Sequence, residues 1–282
     1  VHPRSETSLN GCINFFIDKG LNGHEINTLL NREGVSLKEN EIVFLKLAES
    51  VNVVINQNNS FPLIGIDSRS TMQKSINVYG CYEPLMVKKI CKNVGEKDIV
   101  YDIGAHIGYY STIFNNVTKS KKVISLEPDF YSSNLIRRNT NERSIVVNKF
   151  IGSRVNHNTT TLNDLVSSIK LKPTVIKMDI EGFEVEAFDG GWEIIRELRP
   201  QIFLEFHPKF INKKNPNGLK CLVEELFKLY NLEYTRNHWG HIKGEETANS
   251  EWEKATPDII FKIVDEIILN DQKTNAFAIH CF

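Results

Sequence analysis

The chain has 282 residues, 41% of them hydrophobic and 24% charged, with 34 basic against 35 acidic side chains and a formal net charge of -1. That length buries roughly three quarters of the unfolded surface in one large domain, or in one domain with a smaller lobe. So balanced a charge argues against a protein held chiefly by nucleic-acid phosphates, which need a basic face. The five cysteines, Cys12, Cys81, Cys91, Cys221 and Cys281, are odd in number and widely spaced, with no C-x-x-C pair. A disulfide framework or zinc ribbon is therefore not expected, and a reducing compartment is. No apolar run approaches the roughly 18 residues of a membrane span. No signal peptide follows Val1, and a cytoplasmic location is the expectation.

Residues 1–50 read as mostly helical; in "NEIVFLKLAESV", Ile42, Val43, Leu45, Leu47 and Val51 recur at a rough 3.6 period. "VNVVIN" and "FPLIGID", separated by the polar "NQNNS", predict a β-hairpin, and "INVYG" follows. Residues 1–80 are taken as an N-terminal helical and hairpin region, and 81–282 as the main domain. That domain opens on a helix, "EPLMVKKICKNVG", with Pro84 in its first turn and Gly95 past its end. From about residue 98 strands and helices alternate. The strands are "DIVYDIG", "KKVISLEP", "RSIVVNKFIG", "PTVIKMDIEG" and "PQIFLEFHP"; the helices are "YYSTIFNNV", "FYSSNLIRRNT", "TLNDLVSSIK", the glycine-broken "FEVEAFDGGWEIIREL" and "GLKCLVEELFKLY". Such alternation predicts an α/β fold, a mostly parallel sheet covered by helices on both faces. "LEYTRNHWG", "PDIIFKIV" and "AFAIHCF" read as a closing antiparallel region.

In an open parallel sheet ligands sit beyond the carboxyl ends of the strands. The first of these strands ends in "VYDIGAHIGYYS", residues 100–111. Gly104 permits a tight turn, Gly108 opens the next helix, and Asp102 is an acceptor beside the loop. The stretch is not the G-x-G-x-x-G of a dinucleotide site, because His106 stands where the second glycine would fall. Taken alone it is a weak signal, and the alternative is a bare strand-to-helix turn with no ligand. The second strand ends in Glu127-Pro128, 19 residues after Gly108. There an acid either starts the next helix or hydrogen-bonds the ribose hydroxyls of an adenosine; with the glycine loop, the adenosine reading is favoured.

On the fourth strand Val175, Lys177 and Asp179 share a face, and on the fifth Gln201, Phe203, Glu205 and His207 do. A lysine inside a buried strand needs a partner, and Glu205 is the expected one if the strands are neighbours. Asp179 and His207 then sit at the strand tips, with Glu181 and Glu184 just beyond. The cluster suits general-base work on a hydroxyl, or a divalent ion held through oxygens and one nitrogen, or a buried structural ion-pair network.

"GCYEPLMVKKIC", "DIVYDIGAHIGYYS", "VISLEPD", "TLNDL" and "VIKMDIEGFEVEAFDGGWEIIRELRPQIFLEFH" together resemble the FkbM family of S-adenosylmethionine-dependent methyltransferases over residues 79–207. "KMDIEGFE", with the glycine and the "RPQIFLE" that follow, is the more specific part. The resemblance implies a Rossmann-like class I methyltransferase fold whose seven-stranded sheet ends in an antiparallel strand. It implies that Asp102, Gly104, Ala105 and Gly108, with His106, Tyr110 and Ser111 beside them, line the amino-acid half of the cofactor. Glu127 and Pro128 would serve the ribose, Glu83 would close over the cofactor, and Asp179 would lie near the reacting centre. The family usually has Asn where His106 stands, and its "TLDDL"-like element is here Thr161-Leu-Asn-Asp-Leu165.

The implied reaction is in-line SN2 methyl transfer to a hydroxyl of a small molecule, a glycan or another natural product. His207 is the first candidate base and Asp179 the second, with Lys177 in the same cluster. A divalent metal is compatible but not predicted; Asp179 and His207 would be its ligands. A nicotinamide oxidoreductase would need the glycine that His106 replaces. An RNA methyltransferase on the same fold should show a basic face, where only scattered lysines and Arg137-Arg138 are found. A non-catalytic cofactor-fold module is the third rival, opposed by the acids at three strand ends. Tyr234, His238, Trp239 and His241 could stack on or hydrogen-bond a glycan ring, or simply pack. No motif speaks to oligomeric state.

Overall fold

The structure is a computed structural model that describes residues 50–65, 71–140, 144–236, 252–269 and 276–282. The chain divides into two compact units, one ending at Tyr82 and the other running from Glu83 to Phe282. The helical reading of the first 49 residues, and His238, Trp239 and His241, lie outside the described residues.

In the first unit β1 (Ser50–Asn56) and β2 (Asn59–Ile64) form the expected antiparallel hairpin. Its inner face buries Val53, Phe61 and Leu63 by the period of two. The first four residues of "INVYG" finish the helix α1 (Thr71–Tyr79), which buries Ile76. A short apolar run does not by its pattern distinguish strand from helix, and packing decided this one.

The second unit begins with α2 (Pro84–Asn93). Then come β3 (Ile99–Ile103), α3 (Tyr109–Asn116), β4 (Lys122–Leu126), α4 (Phe130–Asn139) and β5 (Ser144–Val147). A two-residue parallel ladder of β6 (Phe150–Ile151) and β7 (Thr159–Thr160) leads into α5 (Leu162–Ile169). β8 (Val175–Met178), α6 (Glu184–Asp189), α7 (Trp192–Leu198) and β9 (Gln201–Phe206) follow. Next are α8 (Pro208–Lys214), α9 (Pro216–Leu229) and β10 (Leu232–Thr235), then β11 (Glu253–Lys254), α10 (Pro257–Leu269) and β12 (Phe277–Cys281).

The main sheet runs β11-β10-β12-β9-β8-β3-β4-β5. β5, β4, β3, β8 and β9 are mutually parallel, and β12 is antiparallel to both β9 and β10. This is the Rossmann-like methyltransferase arrangement, with the two-residue β11 added as an eighth strand at the edge. The chain moves outward from β3 through β4 to β5, then returns to place β8 on the other side of β3. The switch point therefore falls between β3 and β8, where such sheets open a crevice beyond their carboxyl ends. The central strands are buried on both faces; all four residues of β8 are, including Lys177.

Three readings are corrected. "RSIVVNKFIG" is two strands, broken at Asn148-Lys149, because its second half pairs with β7 and not with β4. "PKFINKK" forms α8, which was not anticipated. "PDIIFKIV" is not antiparallel strand but the start of α10, where Ile260, Ile263, Val264 and Ile267 make a buried stripe at helical spacing. No helix among the described residues is long and apolar enough to cross a membrane.

Candidate active site

Where β3 ends, the chain turns at Gly104 with φ 79°, and a Cβ there would lie 1.8 Å from the carbonyl oxygen of Asp179. Only glycine lets the turn press against the end of β8. The Gly104 and Ala105 N–H groups both donate to the Leu126 carbonyl, at 2.9 and 3.1 Å, tying the turn to β4; Ala105 is buried. Gly108 has φ 87°, and its N–H donates to the Ala105 carbonyl at 2.8 Å just before α3. His106 between them also has a positive φ, 50°, and an exposed side chain. Asn, Asp and His are the non-glycine residues most often found in that left-handed region. The position is thus defined by backbone shape, which histidine can adopt.

The His106 N–H donates to Glu127 Oε2 at 2.9 Å, and the Asp129 N–H donates to Oε1 at 2.8 Å. Two backbone donors therefore aim this buried carboxylate, one on each oxygen. Burial raises its pKa against their pull. The half-buried Pro128 is held through its carbonyl, which accepts from Asn148 Nδ2 at 2.9 Å.

Asp102 is almost fully buried, with Oδ2 accepting from Ser111 Oγ at 2.6 Å. Ser111, read as cofactor-lining, is itself buried and shares a 2.7 Å contact with Ser125 Oγ on β4. Asp102 Oδ1 has no hydrogen-bond partner among the described residues. Burial carries this carboxyl up to about 6, opposed by Lys177 and the Ser111 hydrogen bond.

Lys177 reaches from β8 into a nest of acids. Its Nζ lies 3.4 Å from Asp179 Oδ2 and 4.6 Å from the centroid of the Tyr110 ring. The Tyr110 hydroxyl donates to Glu83 Oε2 at the N-terminus of α2, and both residues are buried. Burial disfavours the Lys177 charge, but Asp179, Glu83, Glu205 and Asp102 together raise its pKa. Its Nζ is at ion-pair distance from Asp179, on its own strand end, and Glu205, the partner expected from the sequence, also raises its pKa.

His207 follows β9, with Nδ1 2.8 Å from Oε1 of Glu184, a fully buried carboxylate that also accepts from the Gly182 N–H at 3.2 Å. Its Nε2 faces the other way, 3.9 Å from Asp179 Oδ1 and 3.7 Å from Glu205 Oε1. Burial opposes the imidazolium, yet the Glu184 hydrogen bond and the surrounding acids raise His207 to about 9. Burial and then Asp179 raise Glu205 to about 8. For Asp179 burial acts upward, but Lys177 and His207 outweigh it and hold the carboxyl low. The two neighbouring carboxyls are thus pushed apart, Asp179 down and Glu205 up.

The structure thus gathers Asp102, Gly104, Glu127, Lys177, Asp179 and His207 at the carboxyl ends of β3, β4, β8 and β9. Two members of the constellation carry more than their sequence reading. Glu205 joins the His207 cluster, and Glu184, read only as lying beyond the strand tips, fixes the imidazole. The signal for Glu184 was the acidic run Asp179, Glu181, Glu184 entering a helix. Tyr234 lies on β10, where its hydroxyl bonds Glu253 Oε2 at 2.9 Å.

A family model, the methyltransferase FkbM domain, matches residues 132–234. The match takes in Lys177, Asp179, Glu184, Glu205 and His207, whereas the glycine loop and Glu127 precede it. The chain is similar to a crystal structure of a methyltransferase FkbM from Methylobacillus flagellatus KT, at 21% identity and a TM-score of 0.44, covering 67% of this chain and 44% of that one. It therefore spans less than half the length of that protein. It is also similar to precorrin-6y C5,15-methyltransferase from Geobacter metallireducens GS-15, at 14% identity and TM-score 0.40, covering 71% and 86% of the two chains. M. jannaschii TYW2 in complex with AdoMet is similar at 13% identity and TM-score 0.42, covering 82% and 84%. No curated protein matches the chain.

Proposed function

We propose that this chain, with its FkbM methyltransferase match, is an S-adenosylmethionine-dependent O-methyltransferase acting on a hydroxyl of a sugar, glycan or related natural product. The observation that carries the reading is the contact of Gly104 with the Asp179 carbonyl. It makes the glycine loop and the acid–imidazole cluster one continuous site. The residues fit the cofactor. Gly104 and Gly108 let the loop turn at positive φ where β3 ends, Asp102 Oδ1 is a buried acceptor lacking a donor among the described residues, and two backbone N–H groups hold the Glu127 carboxylate at the end of β4.

In this reading Asp102 and the loop of Gly104, Ala105, His106 and Gly108 receive the amino-acid half, with Tyr110 and Ser111 behind them. Glu127 and Pro128 receive the ribose, and Glu83 closes the site over it. Bound there, the cofactor would supply an electrophilic methyl group; the acceptor oxygen forms the O–C bond, and the C–S bond breaks with its electron pair going to sulfur. His207 in its neutral form takes the hydroxyl proton on Nε2, because Glu184 already engages Nδ1; with the imidazole held up to about 9, turnover should rise as pH increases towards that value. Asp179, beside that nitrogen, orients the hydroxyl and balances the charge that develops on the ring. Lys177 keeps Asp179 ionised.

Isothermal titration of the full chain with S-adenosylhomocysteine tests the cofactor. Micromolar binding, weakened at least about tenfold in Glu127→Ala, is expected. Absence of binding would sink the methyltransferase reading. Transfer of labelled methyl to an oligosaccharide panel tests the acceptor, and a His207→Ala variant with unchanged turnover would remove His207 from the proton path.

A further inference from the structure

We propose that Asp179, Glu205 and His207 form a binding site for one divalent cation of the oxygen- and imidazole-preferring kind, such as Mn2+ or Mg2+. One ligand atom from each of the three lies within 4.8 Å of the others. The His207 Nε2 edges, 3.9 Å to Asp179 Oδ1 and 3.7 Å to Glu205 Oε1, are separations that an ion bonded at about 2.1 Å can bridge. Two carboxylate oxygens and one imidazole nitrogen, with further positions open, suit a hard to borderline first-row ion better than a thiolate-seeking one.

The surroundings are those of a ligand set. His207 is oriented through its other nitrogen by Glu184, and a carboxylate behind a metal-binding imidazole fixes both tautomer and ring plane. Asp179 divides its oxygens, with Oδ2 towards Lys177 and Oδ1 towards the cluster. Its side chain is 30% exposed, which leaves the cluster a way in from solvent.

A separate observation points to a missing positive charge. Among the described residues Glu83, Asp102, Asp179, Glu184 and Glu205 surround Lys177 and His207, with His106 also facing Asp179. Four of these five acids are at most 5% exposed. Glu184 Oε2, inside the protein, has no hydrogen-bond partner among the described residues. Buried carboxylates in such excess call for a bound cation or for protons. A bound ion would occupy His207 Nε2, so with it in place the acceptor hydroxyl would be activated by the ion as a Lewis acid, lowering its pKa, and not by the imidazole. That use rests on the proposed methyl transfer; the site itself does not.

Chelator-treated full-length chain is titrated with Mn2+, and the free ion is followed by electron paramagnetic resonance. One Mn2+ per chain with micromolar Kd is expected, weakened at least about tenfold in Glu205→Gln and in His207→Gln. Pulsed measurements on the wild-type complex should show coupling to one histidine nitrogen, lost in His207→Gln. Millimolar affinity, no nitrogen coupling in the wild type, or a Glu205→Gln chain that binds like wild type would each overturn the site. If a variant does not fold, the wild-type nitrogen coupling decides alone. Titration with S-adenosylhomocysteine is run separately. Mn2+ binding without it keeps the ion site and removes the methyltransferase reading, and the converse removes only the ion.

Discussion

Two buried histidines of the main sheet have opposite fates. His207, at the carboxyl end of β9, is driven up to about 9 by Glu184 and the neighbouring acids in spite of burial. His280, on β12, is driven down to about 4 by burial first and then by Lys89. It stacks on Phe203 with centroids 4.6 Å apart and on Phe282 at 5.1 Å, with Nε2 3.3 Å from Gln201 Oε1. Glu233, its nearest acid at 3.6 Å, is already paired with Lys89. Both rings are less than a tenth exposed. Burial therefore does not decide the charge of a histidine here; an uncommitted carboxylate does. One end of the sheet keeps an ionised, polar cluster, and the antiparallel flank keeps a neutral ring as packing.

The largest expected effect is at the site end. Gly104→Ala would drive a Cβ into the Asp179 carbonyl at a positive φ, and a loss of about 4–5 kcal/mol by urea denaturation is expected. A loss under about 1 kcal/mol would mean that the loop and β8 can separate. Glu184→Ala should cost about 3–4 kcal/mol, because it strands a buried imidazolium. Glu184→Gln in chelator-treated protein should lower the His207 titration seen by NMR, and a ring still titrating near 9 would move the cause from Glu184 to Asp179 and Glu205.

The two rings should also tilt stability in opposite directions with pH. The folded pKa of His280 lies below its unfolded value of 6.5, so its contribution is present above 6.5 and is lost as pH falls towards 4, by about 3 kcal/mol in all. His280→Phe should keep the stacking and flatten that acid limb. His207 in metal-free protein contributes in full below 6.5 and loses its contribution as pH rises through about 9. Identical pH profiles for wild type and His280→Phe would erase the contrast. Ser111→Ala removes the donor on Asp102 Oδ2 and should cost about 1–2 kcal/mol in thermal denaturation. The smallest effect belongs to a residue in neither region. Thr161 caps α5 by accepting from the Asp164 N–H at 3.1 Å, and Thr161→Ala should cost about 1 kcal/mol, a ruler for the others.

Much of this arrangement was legible in the sequence. β3, β4, β8 and β9 and the helices between them follow from runs that are apolar on both faces, alternating with helical periods. Gly104, Gly108, Glu127, Lys177 and Asp179 were found at strand ends because a parallel sheet makes those ends the place for ligands. What failed was short or depended on a neighbour. "PDIIFKIV" is an apolar run of ambiguous period, and it became helix where packing offered a stripe to fill. Residues 150–151 left the main sheet because β7 offered them a partner.

The sequence by itself determined the class of fold and the residue types at the strand ends, since both are local properties of pattern and spacing. That His106 can stand in the glycine loop was decided by the structure, whose left-handed backbone there admits a histidine. Only the tertiary structure decided which charges pair. Asp179 came within ion-pair reach of Lys177 and Glu205 within reach of His207, while Glu184, from a different element, holds the imidazole. Ion pairing depends on distances of a few ångströms between segments far apart in the chain, and on how much water remains between them. Neither is written in any short stretch of residues.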